Sequence, residues 1–381
     1  MRIVKVQTCK LDRRLAEPSV IAYKTIRYAR NGLVLLETDE DQFGVGELSP
    51  LKPVTGDTRD EALRFVWYVS TSLKGSDPTD IARVHSILEA ASRKIGFMSQ
   101  TASAAIDSAC FDIIGKSVEK PVYKILGCHK PRMIPNAVTI YLRSLKDTAK
   151  NTRELMRRYG KNGLQRLKLK LSGNPRLDKA RVLTVSEIFP GDLMLDANQA
   201  YRDEKSAVKV LNDIYDAVGS KVILVEQPSP KDDLQKLKGI SSKCKIPVFA
   251  DEAVVTMKDL QKIIRSESAD GVNIKLQKAG GIFWGCRMAE LAKDHGLEIM
   301  VGCMMESEIG IAQDAHFLAG ISNDVVASDL DTDLEIKTEI VTPSSRVPFR
   351  DGARIPLDRP GLGVELHSSC ARRLREWTLH F

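Results

Sequence analysis

The chain has 381 residues, of which 43% are hydrophobic and 28% are charged, a composition typical of a folded protein of about two domains. Its 57 Lys and Arg residues outnumber 50 Asp and Glu residues, so the formal net charge is +7. The basic residues are spread along the chain and only 6% of residues are aromatic, which excludes a basic, aromatic surface for nucleic acid.

The cysteines are odd in number and scattered, with no C-x-x-C pair, which is typical of a protein from a reducing cytoplasm. They are Cys9, Cys110, Cys128, Cys244, Cys286, Cys303 and Cys370. Residues 1–7 carry polar side chains at every second position, so they predict a strand and not a secretory signal. No apolar run approaches the ~18 residues of a membrane span. We therefore expect a cytoplasmic protein without a membrane partner, and the sequence leaves a homo-oligomer open.

Residues 1–125 are predicted to form an α+β capping domain. Alternating polar and apolar residues predict an antiparallel meander with extended stretches at 2–9, 20–29, 32–38 and 43–47. Helical periodicity then predicts helices at 58–73, 82–91 and 101–115. Prolines and a glycine crowd together between residues 121 and 135, where we place the link to the next domain.

Residues 126–340 alternate between strand and helix patterns. We predict eight strands, at 136–142, 166–171, 192–197, 222–226, 246–250, 271–276, 297–302 and 325–328. Helical patterns lie between them, for example at 145–159 and 282–295. Because no G-x-G-x-x-G follows an early strand, this α/β pattern favours a (β/α)8-type barrel over an open doubly wound sheet. Residues 341–381, with four prolines, are predicted to be a tail that packs back on the capping domain.

Three consecutive predicted strands run into an acidic residue, namely Asp196, Glu226 and Asp251. The carboxyl ends of parallel strands surround one mouth of a barrel, so these carboxylates are expected to meet and to repel one another unless a cation lies between them. Hard oxygen ligands without Cys or His favour Mg²⁺. Taken alone, Asp196 also suits a helix N-cap, whereas Glu226 does not. Strand alternation further predicts that Asn198 points the same way as Asp196.

Lysines flank these acids in the predicted strand order. Lys168 and Lys170 share one side of the second barrel strand, and Lys275 ends the sixth. A cation with a lysine on each side indicates proton transfer at a carbon next to a carboxylate, because the cation stabilises the enolate and a lysine acts as the base. Such a base needs a lowered pKa, which we expect from the neighbouring like charge and the metal. We interpret Lys278 as a solvated strand end.

This combination resembles the muconate-lactonizing group of the enolase superfamily: Lys-x-Lys on strand two, Asp, Glu and Asp on strands three to five, and Lys on strand six. The resemblance extends over nearly the whole chain and implies a modified (β/α)8 TIM-type barrel with an N-terminal α+β capping domain. The implied Mg²⁺ ligands are Asp196, Glu226 and Asp251. The implied acid/base groups are Lys170 and Lys275, with Lys168 supporting the first. Strand seven ends without a His, which disfavours the mandelate-racemase branch.

Within that group the chain resembles the dipeptide epimerases. Asp329 and Asp331 resemble the Asp-x-Asp by which that family holds a dipeptide's free ammonium, and we expect them at the barrel mouth, away from the metal ligands; alternatively they form a surface turn. Residues 302–307 resemble the family's strand-seven loop and residues 55–57 its mobile capping loop, which implies substrate contacts from Cys303, Met304, Glu306 and Thr55. In the early loop, where L-Ala-D/L-Glu enzymes often carry Arg, this chain has Lys24 and Arg27.

The resemblance implies an isomerase that epimerises dipeptides by 1,1-proton transfer at the α-carbon next to the C-terminal carboxylate, through an enediolate intermediate. Two other interpretations remain. The same metal and lysines would serve an N-succinylamino acid racemase, an o-succinylbenzoate synthase or a cycloisomerase, whose substrates lack a free ammonium. A non-enzymatic binding protein is the third, although it would have no use for a lysine on both faces of a metal.

Overall fold

Two principal sheets organise the chain in the computed structural model, which describes residues 1–337 and 340–368. The strands are β1 (Ile3–Ile21), β2 (Lys24–Thr38), β3 (Phe43–Leu48), β4 (Ala137–Ile140), β5 (Arg166–Lys170), β6 (Asp192–Asp196), β7 (Val222–Glu226), β8 (Val248–Ala250), β9 (Gly271–Ile274), β10 (Glu298–Gly302), β11 (Val325–Asp329), β12 (Phe349–Arg350) and β13 (Ala353–Arg354). The end of the predicted tail, residues 369–381 with Cys370, lies outside the described residues.

Helices separate the strands of the second sheet and follow those of the first. They are α1 (Lys52–Thr55), α2 (Arg59–Leu73), α3 (Ile81–Ile95), α4 (Gln100–Ser117), α5 (Val122–Ile125), α6 (Leu145–Tyr159), α7 (Pro175–Ile188), α8 (Glu204–Val218), α9 (Leu234–Ser241), α10 (Met257–Ser266), α11 (Leu276–Ala279), α12 (Ile282–Asp294) and α13 (Glu308–Gly320). Within the part of the chain that the structure describes, none of these helices is long and apolar enough to cross a membrane.

Strands β1 and β2 form one long hairpin. Ile21 pairs with Lys24 across the turn and Cys9 pairs with Leu33 further along, while β3 adds to the other edge of β2. The predicted extended stretch at 20–29 is wrong, because it straddles this turn. Strand β1 continues through the charged residues that follow residue 9, where exposed polar side chains alternate with buried ones such as Leu11, and this alternation was overlooked in the sequence. As a result the turn of the hairpin reaches the barrel, where Leu142 N donates to Val20 O at 3.0 Å.

The second sheet contains β4 to β11 in sequence order, and the pairings recorded along it are parallel. A parallel bridge between Asn136 and Ser328 joins its two ends, and Asn136 Oδ1 accepts a hydrogen bond from Leu330 N at 2.7 Å. Inward-facing apolar side chains fill the interior, namely Ala137, Met194, Leu224, Phe249, Met300 and Ala327. The closed (β/α)8 barrel and the preceding antiparallel sheet confirm the predicted fold class.

Buried carboxylates of the N-terminal region dock onto the barrel helices. Glu47 Oε2 accepts from Ser307 Oγ at 2.6 Å and from Gly310 N at 2.9 Å, at the start of α13. Asp107 Oδ1 accepts from Ile282 N at 2.6 Å, at the start of α12. An acceptor at a helix N-terminus pairs with free N–H groups and with the positive end of the helix dipole. These contacts fix the loops after β9 and β10 against the N-terminal sheet.

The described part of the tail contacts the N-terminal sheet. Val341 pairs with Leu366, and Val341 packs in one apolar cluster with Cys9 and Leu11 of β1. Leu362 N also donates to Asp112 Oδ1 of α4 at 2.9 Å. We retain 1–125, 126–340 and 341–381 as the proposed division of the chain into capping domain, barrel and tail.

Candidate active site

Three buried carboxylates meet at the carboxyl ends of adjacent strands. Asp196 ends β6, Glu226 ends β7 and Asp251 follows β8. Because β6 pairs with β7, Asp196 lies directly beside Glu226. One oxygen of each residue lies within 4.8 Å of the others. All three side chains are buried, and among the residues that the structure describes no His or Cys joins this group. This donor set fits a hard divalent cation such as Mg²⁺.

Lys168 of β5 lies among these acids with only 1% of its surface exposed. Its Nζ is 2.7 Å from Glu226 Oε1, 3.3 Å from Asp196 Oδ2 and 2.6 Å from Asp329 Oδ2. Burial lowers the pKa of Lys168, but Asp329, Glu226 and Asp196 outweigh burial and raise that pKa well above its usual value. Lys168 is therefore a fixed positive charge that joins the acid cluster to the end of β11.

Lys170 and Lys275 approach the acids from two sides, because β5 and β9 flank β6 to β8 in the sheet. Lys170 Nζ is 2.5 Å from Asp196 Oδ2, and Lys275 Nζ is 2.7 Å from Asp251 Oδ2. Both lysines line the same cavity. An α-carbon bound in that cavity would therefore have an amine available on each side.

The acids of the site act on the lysines in the opposite direction to the like charge and the metal, and they raise the pKa values of Lys168 and Lys275. Burial lowers the pKa of Lys275, but the charge of Asp251 outweighs burial and raises it. Burial likewise raises the pKa of Asp196, yet Lys170 and Lys168 hold it below its usual value. Burial raises the pKa of Glu226 to about 8. The lowered pKa expected from the sequence depends on the neighbouring ammonium group and the metal, whereas the raised values come from the acids that each lysine contacts.

Lys278 is a buried partner of the candidate metal site, and its interpretation as a solvated strand end is wrong. Its Nζ donates to Asp251 Oδ1 and to Asp251 O, both at 2.6 Å, and to Asn273 O at 3.1 Å. The short helix α11 begins at residue 276, so Lys275 and Lys278 are one turn apart and meet on the same carboxylate. The i, i+3 spacing of the two lysines was the feature of the sequence that could have revealed this shared contact.

Two further groups border the acids without having been predicted as site residues. Asn198 has left the strand and has a φ of 42°, so the alternation argument does not apply to it. Its Nδ2 donates to Glu252 Oε1 at 3.2 Å, and both residues line the cavity. Burial and the charges of Asp251 and Asp196 raise the pKa of Glu252 to about 7. Glu252 directly follows a predicted ligand, which was its only signal in the sequence.

The cavity has a charged floor and an apolar roof. We define the floor as the six acids and lysines Asp196, Glu226, Asp251, Lys168, Lys170 and Lys275 at the barrel mouth. We define the roof as the capping residues that line the opposite side, which are Ser19, Ile21, Tyr23, Ile26, Leu51 and Val54. The roof thus comes from the β1–β2 hairpin turn and from the neighbourhood of α1.

Two acids lie at the β11 side of the cavity. Asp329 is held by Lys168, so the expectation that it lies away from the metal ligands is wrong: Lys168 contacts both. Asp329 Oδ1 is nevertheless buried without a hydrogen-bond partner among the described residues. Asp331 Oδ2 accepts from Thr139 N at 2.7 Å, and burial together with the charge of Asp329 raises the pKa of Asp331 to about 7. A cation is the natural partner for this pair.

A third acid, Glu335, lines a neighbouring pocket that shares Thr139 and Tyr141 with the cavity, and it was missed in the sequence. Glu335 accepts from Ser19 Oγ at 3.4 Å, and it also interacts with Tyr141. Burial and the charge of Asp331 raise the pKa of Glu335 to about 8. Because Ser19 and Tyr141 belong to distant parts of the sequence, only the folded hairpin brings them to this acid.

The structure divides the implied substrate contacts into two sets. Those that line the cavity are Asp329, Asp331, Cys303 and Met304. Three others do not line it. Thr55 Oγ1 donates to the buried Asp57 at 2.6 Å and so holds its own loop. Lys24 and Arg27 line a neighbouring surface pocket that shares Ile26, Leu51 and Met305 with the cavity. Glu306 is buried behind the wall, where its Oε1 accepts from Met304 N at 2.8 Å.

Glu306 also interacts with a second buried acid, Asp314 of α13, and neither oxygen of Asp314 has a hydrogen-bond partner among the described residues. Burial raises the pKa of both groups, and for Asp314 the charge of Glu306 adds to that effect. Two ionised carboxylates have no donor between them, so we expect one proton to be shared by the pair.

Comparisons with known proteins agree with this geometry. Residues 151–369 match the family model "Enolase C-terminal domain-like", and residues 3–127 match "Mandelate racemase / muconate lactonizing enzyme, N-terminal domain". The hydrophobic dipeptide epimerase of Enterococcus faecalis is 32% identical over 345 residues, which are 90% of this chain and 94% of that relative.

Two solved structures are also similar. The N-succinyl Arg/Lys racemase from Bacillus cereus superposes with a TM-score of 0.89 at 27% identity, over 100% of this chain and 98% of that one. The dipeptide epimerase from Enterococcus faecalis V583, complexed with Mg and the dipeptide L-Leu-L-Tyr, superposes with a TM-score of 0.87 at 30% identity, over 96% of this chain and 100% of that one.

Proposed function

The chain belongs to the enolase superfamily and is an isomerase, and from this premise we propose that it epimerises dipeptides that carry a free N-terminal ammonium. One observation carries the proposal. Asp329 and Asp331 line the same cavity as Lys170 and Lys275, and Asp329 retains a buried oxygen without a hydrogen-bond partner among the described residues. A substrate that ends in a cation on that side supplies the missing donor.

Enzymes of this superfamily use a divalent metal, and we propose Mg²⁺ for this chain. Asp196, Glu226 and Asp251 would hold it, because they are buried, adjacent and supply only oxygen ligands. When bound, the ion supplies positive charge to the substrate carboxylate as its α-proton leaves. Lys278 keeps Asp251 in place by contacting both its side chain and its backbone oxygen.

The lysines would move the proton. Lys170 and Lys275 reach the cavity from opposite flanks of the three acids, so one removes the α-proton and the other returns a proton to the far face. Each lysine then serves one configuration at the α-carbon. Lys168 would not exchange protons with substrate in this scheme, because three acids surround it.

The position of Asp329 and Asp331 in the cavity limits the length of the substrate. The carboxylate must lie at the three acids and the reacting carbon between the two lysines. The other end of the molecule then points toward Asp329 and Asp331. A dipeptide with a free N-terminus meets this arrangement, with its ammonium on the two acids.

Substrates of the alternative enzymes do not suit this side of the cavity. An N-succinylamino acid carries a second carboxylate at the position where the dipeptide carries its ammonium. The precursor of o-succinylbenzoate and a muconate also carry a second carboxylate. A carboxylate next to Asp329 and Asp331 would be repelled and would supply no hydrogen-bond donor to Asp329 Oδ1, which has no partner among the described residues. The similarity to the Bacillus cereus racemase does not decide this point, because one fold hosts many substrates.

The test compares free and N-acetylated forms of the same L,L-dipeptide. Charge-assisted hydrogen bonds contribute roughly 1.5–3 kcal/mol each, so kcat/KM should favour the free form by about tenfold to a hundredfold or more. EDTA should abolish turnover and Mg²⁺ should restore it. An Asp331→Asn variant should lose the preference for the free form and still require Mg²⁺. Equal turnover of the two forms by the wild type, or better turnover of N-succinylamino acids, would reject the proposal.

A cytoplasmic location is part of the proposal. The six described cysteines form no disulfide with one another, and three of them, Cys9, Cys110 and Cys303, are buried. Cysteines without disulfides are typical of proteins kept under reducing conditions.

A further inference from the structure

Helix α6 carries a row of positive charges on its outer face. Six cations and two acids lie in residues 145–162, which comprise α6 and the short 3-10 turn that follows it. Five of the cations follow one another at intervals of three or four residues, so they share one side of the helix. We call these five residues the cationic stripe: Lys146, Lys150, Arg153, Arg157 and Lys161. Basic residues are spread along the sequence, but the helix gathers these five onto one face.

The cationic stripe is exposed, and the opposite side of α6 is buried. Thr148, Thr152 and Tyr159 are the buried residues of the helix. The sixth cation, Arg158, lies over the ring of Tyr159 and is not part of the stripe. A partner that docks on the stripe therefore meets charge, without an apolar surface or an aromatic ring.

The charges of the stripe are largely uncompensated in the fold. Among the described residues only one member of the stripe has an acid partner: Lys150 Nζ lies 3.8 Å from Glu154 Oε1, and both side chains are exposed. The other acid of the helix, Asp147, accepts a hydrogen bond from Ser144 Oγ at 2.7 Å. The stripe therefore keeps most of its charge for a partner outside the fold.

Other barrel helices pair their exposed cations with acids. Lys209 Nζ lies 2.8 Å from Asp213 Oδ2 on α8, and Lys262 Nζ lies 2.9 Å from Asp259 Oδ1 on α10. On α6 the stripe instead repeats like charges at i, i+4, an arrangement that destabilises a helix. A pattern that weakens its own helix and has few acids to offset it indicates a negatively charged partner.

We infer that the cationic stripe binds a linear polyanion whose phosphate groups repeat along a flexible chain. The stripe extends over roughly 16 Å from Lys146 to Arg157, at about 1.5 Å per residue, and Lys161 prolongs it. Successive phosphates of such a chain pair with successive cations, and the release of counterions favours binding. This surface goes beyond the proposed function, because it involves none of the floor or roof residues.

The composition of the stripe disfavours two other polyanionic partners. A helix that lies on a membrane surface needs apolar side chains as anchors. A site for single-stranded nucleic acid typically has aromatic rings on which bases stack. The stripe provides neither kind of side chain, whereas a phosphate polymer without bases or lipid chains requires only the cations.

The first experiment measures binding of fluorescently labelled inorganic polyphosphate to the full chain by anisotropy. We expect binding at low salt, with an affinity that falls about tenfold to a hundredfold between about 50 and 200 mM salt as counterions compete for the phosphates. Unlabelled orthophosphate should not displace the polymer, because one phosphate pairs with too few cations. Absence of binding at low salt overturns the inference, as does displacement by orthophosphate at the same phosphate concentration.

The second experiment removes the centre of the stripe. The double variant Arg153→Gln/Arg157→Gln should bind polyphosphate about tenfold or more weakly and reduce the slope of log affinity against log salt by about one. Lys209→Gln/Lys262→Gln is the matched control, because it removes two cations from the exposed sides of α8 and α10. Its affinity should stay within about twofold of the wild type, since these two lysines lie outside the stripe.

The pair of variants separates the stripe from the overall charge of the protein. Equal weakening in both double variants, or no weakening in Arg153→Gln/Arg157→Gln, overturns the inference. The same assay with single-stranded DNA and with vesicles of phosphatidylserine and phosphatidylcholine tests the other partners. Tighter binding of either than of polyphosphate also overturns it. Circular dichroism and the thermal midpoint of each variant establish that it is folded.

Discussion

The floor and the roof of the cavity are built in opposite ways. The floor places three lysines and three acids at the ends of neighbouring barrel strands, and each lysine contacts at least one acid. The roof consists of uncharged side chains from one hairpin turn and the region of a short helix. We therefore expect the reaction to depend on groups that the barrel fixes, and the choice of side chain to depend on a few residues of the capping domain.

Substitutions should therefore have different consequences in the two regions. Removing one member of a buried ion pair on the floor leaves its partner without a counter-charge, which is strongly destabilising for that site. Replacing a roof residue changes a surface that contacts substrate without breaking an ion pair. Floor variants should lose activity with every dipeptide, whereas roof variants should alter the ratio between dipeptides.

The largest effect is expected for Lys275→Ala. Loss of one acid/base group should lower kcat for epimerisation by about 10²–10⁴-fold with all dipeptides, because general acid–base catalysis contributes that much. Lys170 remains, so the variant should still exchange the α-proton of one configuration in D₂O. Parallel measurements of optical rotation and α-proton exchange would separate the two activities.

Lys293→Ala is the matched control for that variant. Lys293 forms a surface ion pair with Asp324 at 2.9 Å and lies far from the floor in the barrel's helical layer. Its removal should leave kcat unchanged, since exposed ion pairs contribute little. Normal epimerisation by Lys275→Ala would reject the two-lysine mechanism and reduce the floor to a metal site.

A second, smaller effect concerns the pH dependence of ammonium binding. Burial and the charge of Asp329 raise the pKa of Asp331 to about 7, so below that pH Asp331 is protonated and no longer attracts an ammonium. We expect kcat/KM for free dipeptides to fall up to about tenfold per unit as pH decreases below about 7. In Asp331→Asn this part of the profile should be absent, because the amide does not titrate.

Protonation of Asp331 also affects the stability of the fold: it weakens ammonium binding but favours the folded state. The pKa of Asp331 is higher in the folded protein than its usual value of 3.8, so its contribution is fully present below about pH 4 and is lost as pH rises through about 7. Chemical denaturation of the metal-free protein between pH 5 and 8 should show a flatter pH dependence for Asp331→Asn than for the wild type. An identical profile in the two proteins would assign the proton to another group.

The floor and the roof also differ in how well their residues can be predicted from the sequence. Asp196, Glu226 and Asp251 could be placed because each ends a strand, and parallel strands bring their ends together. Lys278 was misread because α11 starts directly after Lys275 and turns it back onto Asp251. A four-residue helix leaves too short a pattern for periodicity to reveal.

The roof could not be predicted from local patterns. Residues 20–29 were interpreted as one extended stretch, so Ile21 and Ile26 were not recognised as two sides of a turn. What brings that turn to the barrel is long-range: Leu15 bridges to Ile336, and Leu142 N donates to Val20 O at 3.0 Å. Glu335 was missed for the same reason, since its partner Ser19 lies more than three hundred residues away in the chain.

The smallest effect is expected where floor and roof meet, in the loop after β10. Glu306 Oε1 accepts from Met304 N at 2.8 Å, and we expect a proton shared with Asp314 to hold Glu306 in place. Asp314→Asn replaces that proton with an amide donor, so it should keep kcat/KM within about threefold and change the free energy of unfolding by about 1 kcal/mol or less. Asp314→Ala removes the donor and leaves Glu306 with a buried, unpaired oxygen, which should lower the free energy of unfolding by about 1–3 kcal/mol.

The pH dependence of stability gives a further test of the same pair. The pKa of Asp314 is raised in the fold, so its contribution to stability is present at low pH and lost as pH rises. Relative to the wild type, Asp314→Asn should therefore be more stable at pH 8 than at pH 5. Thermal denaturation of the three proteins at both pH values decides the matter: if the Asn and Ala variants are equally destabilised, no proton joins the two acids, and the wall between floor and roof is held by packing alone.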